Sequence, residues 1–281
     1  MLSFSLLWAR VALGCYLAGL AAAIGAALVA GRNRNGLFAL ARAAVAAGFL
    51  FQFVSLAEML AAFPLGPATF YRLITGLLAF IIAGFFLMAY RAYSPRALTL
   101  VVAPLICVMA AAALLPSGAH PASSAVATSL LHNGWIYVHI AFIFIGYAGL
   151  VVAMASGVLY LFAERGLKSK HHPISPGSAL PSLETLDRVG YRSLLVGFPL
   201  LTAGLVIGAY WADALFGGIR MSDPTVLLAL LAWAIYLVLL FARWSAGWRG
   251  RRSAYLTLIC FGLAVAGWLA NGASQMHSLL R

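Results

Sequence analysis

The chain is 281 residues long, 64% hydrophobic and only 9% charged, with a mean hydropathy of +1.00. A soluble globular domain carries roughly 25% charged residues, so this chain cannot cover a water-facing surface of its size and must take lipid as its solvent. The net charge of +12 does not signal nucleic acid, because the basic residues gather in short connections between apolar runs rather than along one face.

A bilayer crossing needs about 20 apolar residues. Such runs lie near 6–30, 37–57, 71–90 and 97–115, then near 133–163, 193–212, 226–243 and 253–273. Backbone groups in hydrocarbon must bond within their own segment, so the runs predict helices and the fold class is an all-α integral membrane protein of about eight spans. The first run is too long for a signal-peptide core and reads as a retained span. Gln52 in the second run is tolerable once if it faces protein. Cys15, Cys107 and Cys260 each fall in a separate run without a CxxC pair, which predicts buried, inert thiols.

The connections alternate in charge. Of the 18 basic residues, all but Arg10, Arg72, Arg220 and Arg281 fall on the side that holds the 164–192 connection. The positive-inside rule puts that side in the cytoplasm and both termini outside. Within 164–192, Pro173, Pro176 and Pro181 break the chain. The string Leu183-Glu184-Thr185-Leu186-Asp187-Arg188 then predicts a short amphipathic helix leading into the sixth span. No internal repeat is visible; the whole of 1–281 reads as one membrane domain, with a four-helix half over 1–129 and a second half over 130–281.

That orientation sorts the histidines. His171 and His172 fall in the cytoplasmic connection, and His120 in an outer loop. His139 lies a turn or two inside the outer end of the fifth span, where an ionisable side chain is costly unless paired or liganded. His132, two turns earlier, can share its face, as can Trp135. Gly146, Ala153 and Gly157 continue that face and admit a helix or a flat ligand close to the backbone. His277 follows the eighth span at the same side. Two histidines without nearby acids or cysteines do not favour zinc, whereas two imidazoles suffice as axial ligands of haem iron. The outer connection between the sixth and seventh spans adds Tyr210, Trp211, Asp213, Phe216, Arg220 and Asp223-Pro224. Asp223 there suits a helix cap, with Pro224 in the first turn. Ordinary helix packing and interfacial anchoring account for each of these pieces singly. The spans carry almost no central charge, which disfavours a transporter, and no nucleophile–base pair is legible.

Four stretches resemble the cytochrome c assembly family, the CcsA/ResC group and its relative HemX, over about 130–281. They are Trp135-Ile136-Tyr137-Val138-His139 running on to Gly146-Tyr147-Ala148; Leu183–Arg188 with Gly197-Phe198-Pro199-Leu200-Leu201-Thr202 and Gly208-Ala209-Tyr210-Trp211-Ala212; Asp223-Pro224 with Trp233-Ala234-Ile235-Tyr236-Leu237 and Gly247-Trp248-Arg249-Gly250; and the terminal His277. In that family a tryptophan-rich outer segment lies under haem between two external histidines. The resemblance therefore implies His139 and His277 as iron ligands, and Trp211, Asp213 and Asp223 in the haem-facing segment beside Trp135 and His132. It further implies haem b as cofactor, a multi-pass place in the bacterial cytoplasmic (inner) membrane, and a CcsB/ResB-like or apocytochrome c partner. Ser222, Thr225 and Phe241 depart from the family pattern. They point to a short, HemX-type member, either holding haem for a partner or regulating and scaffolding without haem chemistry, rather than to an autonomous synthase.

Overall fold

The computed structural model describes residues 2–29, 32–61, 67–115, 134–168, 181–216, 218 and 223–270. Eight helices account for nearly all of them: α1 (Leu2–Leu28), α2 (Arg32–Ala61), α3 (Pro67–Tyr93), α4 (Leu98–Ala112), α5 (Gly134–Lys168), α6 (Leu183–Phe216), α7 (Pro224–Ser245) and α8 (Arg251–Ala270). No strand occurs among the described residues. Seven of the helices are long and apolar enough to cross a membrane, and α4 is the shorter eighth. At 1.5 Å per residue α4 is only about 22 Å long, short of the roughly 30 Å hydrocarbon core. Its Leu98, Thr99, Val102, Ala103, Ile106, Cys107 and Ala110 are buried, so α4 faces protein more than lipid.

Consecutive helices run antiparallel, and contacts between chain-distant residues define two ends. At one end Trp8 Nε1 donates to Glu58 Oε1 at 3.1 Å and Ser55 Oγ donates to the Ser5 carbonyl at 2.8 Å. At the other Arg96 donates to Asn35 at 2.6 Å, and the Arg192 guanidinium sits 5.8 Å from the Tyr93 ring centre. The second end carries the arginine-rich connections and is called the basic end below; the first carries His139 and is called the histidine end.

The largest buried cluster draws residues from α1 through α6, including Tyr16, Val45, Phe86, Ile106, Val152 and Leu186. The first four helices thus share one interior with α5 and α6, while α7 and α8 pack with α5 and α6 in a second cluster. Gln52, 2% exposed, lies against Gly76, as its polarity requires. Cys107 and Cys260 are buried free thiols and Cys15 is half-buried; Cys260 Sγ donates to the Ala232 carbonyl at 3.2 Å.

The sequence and the structure part company in α6. The amphipathic stretch at 183–188 is not a separate helix but the first turns of the sixth span, in one helix of 34 residues. Ser182 Oγ accepts the Thr185 N–H and also pairs with the Thr185 hydroxyl, starting the helix cleanly. Glu184 and Arg188 then pair one turn apart, and the helix runs on through Pro199 without interruption. At its far end Tyr210, Trp211 and Asp213 belong to α6 rather than to a loop, since no Gly or Pro interrupts the sequence between Gly208 and Gly217.

α5 and α6 are each about 50 Å long and form the closest helix pair of the second half. Their seam follows seven-residue spacings: His139, Gly146 and Ala153 on α5, and Gly190, Gly197 and Gly204 on α6. A Cβ on Gly146 would come within 2.6 Å of Leu201 Cβ, and one on Gly197 within 3.0 Å of the Gly146 carbonyl. Glycine is what lets the two backbones meet. Gly157, which the helical face groups with Gly146 and Ala153, turns instead against Ala254 of α8.

Candidate functional site

His139 sits in the second turn of α5, where the seam reaches the histidine end. Its Nδ1 lies 2.8 Å from the Gly204 carbonyl of α6. A carbonyl only accepts, so Nδ1 donates and the neutral ring keeps its lone pair on Nε2. Nε2 makes no hydrogen bond among the described residues. Gly208, one turn beyond Gly204, leaves the ring its room: a Cβ there would stand 2.6 Å from His139 Cε1 and 3.0 Å from Nδ1.

The other site residues fall around this point with different roles. Trp135, one turn before His139, is 59% exposed. Trp211, three residues past Gly208, is half-buried and meets the Tyr210 ring edge-on at 6.0 Å. Asp213 is exposed on the last turns of α6. Asp223 is 5% exposed, and its Oδ1 accepts the Thr225 N–H at 2.9 Å as the N-cap of α7, with Pro224 following as its motif predicts. This cap accounts for Asp223 structurally. His132 and His277, the remaining predicted ligands, lie outside the described residues, as do Arg220 and the side chain of Phe216.

The donor set fits haem on the side that is described. A metal ion held wholly by protein needs three or four ligands, and no group of three His, Cys, Asp or Glu side chains gathers among the described residues. His139 would supply haem iron with an imidazole ligand from α5. His139 offers a neutral Nε2 oriented by a backbone carbonyl, the arrangement that ligating histidines use.

A second polar cluster, at the basic end, escaped sequence reasoning although two of its residues, Asp187 and Gly250, are in the motif stretches. Asp187 of α6 forms a largely buried ion pair with Arg243 of α7, with Arg243 Nη1 donating to Oδ1 at 2.9 Å. The Arg243 guanidinium lies 4.2 Å from the centre of the Tyr191 ring. Gly250, at the start of α8, donates its N–H to Asp187 Oδ1 at 3.1 Å. One carboxylate thus ties three helices together. Nearer the middle, Trp233 Nε1 donates to Thr202 Oγ1 at 3.0 Å, and Tyr236 Oη donates to the Leu194 carbonyl at 3.2 Å. The recurring stretches of α6, α7 and α8 are therefore partners of one another, an outcome hidden in sequence by separations of 31 to 63 residues. Phe241, one of the departures from the family pattern, is 60% exposed and turned away from the bundle.

The model of the family described as "Cytochrome C assembly protein" matches residues 67–270, so the match begins at α3 and takes in half of the N-terminal helices. Among similar curated proteins, the cytochrome c biogenesis protein CcsA of Guillardia theta is 32% identical over 145 residues, covering 47% of this chain and 48% of that protein. CcsA of Parasynechococcus marenigrum (strain WH8102) is 32% identical over 163 residues, covering 51% and 53%. CcsA of Prochlorococcus marinus (strain MIT 9313) is 33% identical over 178 residues, covering 55% of each. The chain spans about half the length of these relatives. No solved structure matches it.

Proposed function

The chain belongs to the cytochrome c assembly protein family, and from that premise we propose that it handles haem during cytochrome c maturation. It holds the haem at the outer membrane face between His139 and His277 and presents it to a partner that carries the apocytochrome. The observation that carries this reading is the bond from His139 Nδ1 to the Gly204 carbonyl, which prepares an imidazole inside a span for a ligand that Nε2 can bind. Trp211 and Trp135 supply aromatic surface at the same end, and Arg220 supplies a cation suited to a propionate. When bound, haem would supply the reactive vinyl carbons and the iron, and His139 and His277 would hold it.

The relatives named above are cytochrome c biogenesis proteins, and this chain takes the same cellular process as its own under the proposal. The cytoplasmic (inner) membrane and a CcsB/ResB-like partner belong to the same reading. The test is the visible spectrum of the purified chain, alone and after haem b is added. A low-spin spectrum with two histidine ligands is expected, weakened in His139→Ala and in His277→Ala; a featureless spectrum in the haem-supplemented wild type sinks the proposal.

One observation favours a second reading, a scaffold or regulator without haem chemistry. The densest polar network among the described residues, around Asp187 and Arg243, is at the opposite end from His139. If His139→Ala and His277→Ala leave cytochrome c maturation intact in cells while changes in the 164–192 connection abolish it, that reading replaces the first.

A further inference from the structure

We infer that Gly204 and Gly208 of α6 are positioning residues for His139, fixing its tautomer and seating its ring so that Nε2 is the atom offered to iron. The inference rests on the haem-handling reading above and adds to it the means by which the ligand is aimed.

The geometry has two independent parts. The first is the hydrogen bond at 2.8 Å between His139 Nδ1 and the Gly204 carbonyl. Within a helix that carbonyl already accepts from the residue one turn on, but a carbonyl oxygen has two lone pairs and can take the imidazole as well. The bond places the proton on Nδ1, the less common tautomer of a free neutral imidazole, and raises the basicity of Nε2. The second part is shape. A Cβ on Gly204 would meet Ile143 at 2.8 Å, so the seam closes far enough to bring that carbonyl to the ring only because residue 204 has no side chain. A Cβ on Gly208 would meet the Nδ1–Cε1–Nε2 edge of His139 at 2.6, 3.0 and 3.5 Å for Cε1, Nδ1 and Nε2. The first distance is one that real Cβ atoms do not tolerate, so an alanine there must push the ring away from its place. Glycines at 204 and 208 are one turn apart and face the same partner helix. Packing alone requires small residues along a seam; it does not require a carbonyl at bonding distance from an imidazole on that seam.

The test has an arm that needs no haem. In the full-length protein in lipid nanodiscs, ¹⁵N-histidine magnetic resonance, with His139 assigned by its loss in His139→Gln, reports which ring nitrogen carries the proton. A protonated Nδ1 and a bare Nε2 are expected; a protonated Nε2 overturns the inference. The second arm titrates haem b into wild type and Gly208→Ala. The variant is expected to bind at least tenfold more weakly and to lose the low-spin band, and added imidazole is expected to restore that band by replacing the displaced ring. Unchanged affinity in Gly208→Ala, or a loss that imidazole leaves unrepaired, overturns the inference. The tautomer measurement on the wild type stands even if the variant fails to fold. A wild type that takes up no haem overturns the functional reading and the iron-facing role with it, whereas a haem-binding protein whose apo His139 is protonated at Nε2 overturns this inference alone.

Discussion

Asp187 Oδ1 accepts the backbone N–H of Gly250 at 3.1 Å, across 63 residues of chain. The same oxygen takes Arg243 Nη1 at 2.9 Å. Removing the carboxylate leaves Arg243 buried without a counter-ion, and breaking such a pair from one side costs about 3–5 kcal/mol. Asp187→Ala should therefore lower the thermal midpoint of the detergent-solubilised protein sharply. Asp187→Asn, which keeps an acceptor for Gly250 but loses the charge, should fall between. Equal midpoints for the two variants and wild type would remove Asp187 from its structural role.

Gly250 has φ +67, and a Cβ on it would lie within 2.5 Å of the Tyr160 hydroxyl. Gly250→Ala thus meets both the left-handed backbone penalty of about 1–2 kcal/mol and a contact with Tyr160. Adding Tyr160→Phe removes the oxygen in the way, so the double variant should recover part of the loss but not the backbone share. A double-mutant cycle on thermal stability reads this coupling directly.

Thr202 Oγ1 receives the indole N–H of Trp233 at 3.0 Å and donates to the Phe198 carbonyl. Thr202→Val removes the acceptor at nearly constant volume and leaves the indole unpaired among apolar neighbours, at a cost of about 1–3 kcal/mol. Trp233→Phe added to it removes the orphaned donor as well and should be less damaging than the first change alone. Stability of the two variants in the same lipid decides it.

Orientation is checked by labelling. Ser245 at the basic end and Asp213 at the histidine end are both exposed. In intact cells a membrane-impermeant thiol reagent should label Asp213→Cys but reach Ser245→Cys only after permeabilisation, as the basic connections require. The reverse pattern would invert the protein in the membrane and detach the outer face from His139.

The spans, the charge alternation and the place of His139 inside a span were legible in sequence because each is written in local composition: apolar runs, short basic connections and an ionisable residue where lipid disfavours one. The cap at Asp223-Pro224 was legible for the same reason. The extent of α6 was not, since its first turns are polar, its last turns aromatic and Pro199 lies inside it, so nothing in local composition marks one continuous helix. Nor was the tie among Asp187, Arg243 and Gly250, because an ion pair between distant helices leaves no periodic mark. Gly208 stood in a recognised stretch without a role; what a missing side chain makes room for is visible only when the neighbouring ring is in view.

The glycine seam between α5 and α6 also acts as a ruler. Backbones that touch at Gly146 and Gly197 cannot slide past each other by a residue without driving side chains into the facing helix. When the surrounding bilayer thickens or thins, this hairpin must answer by tilting as a unit rather than by shearing. The height of the imidazole above the basic end is then counted in residues along the chain, and it stays the same whatever lipid the protein sits in.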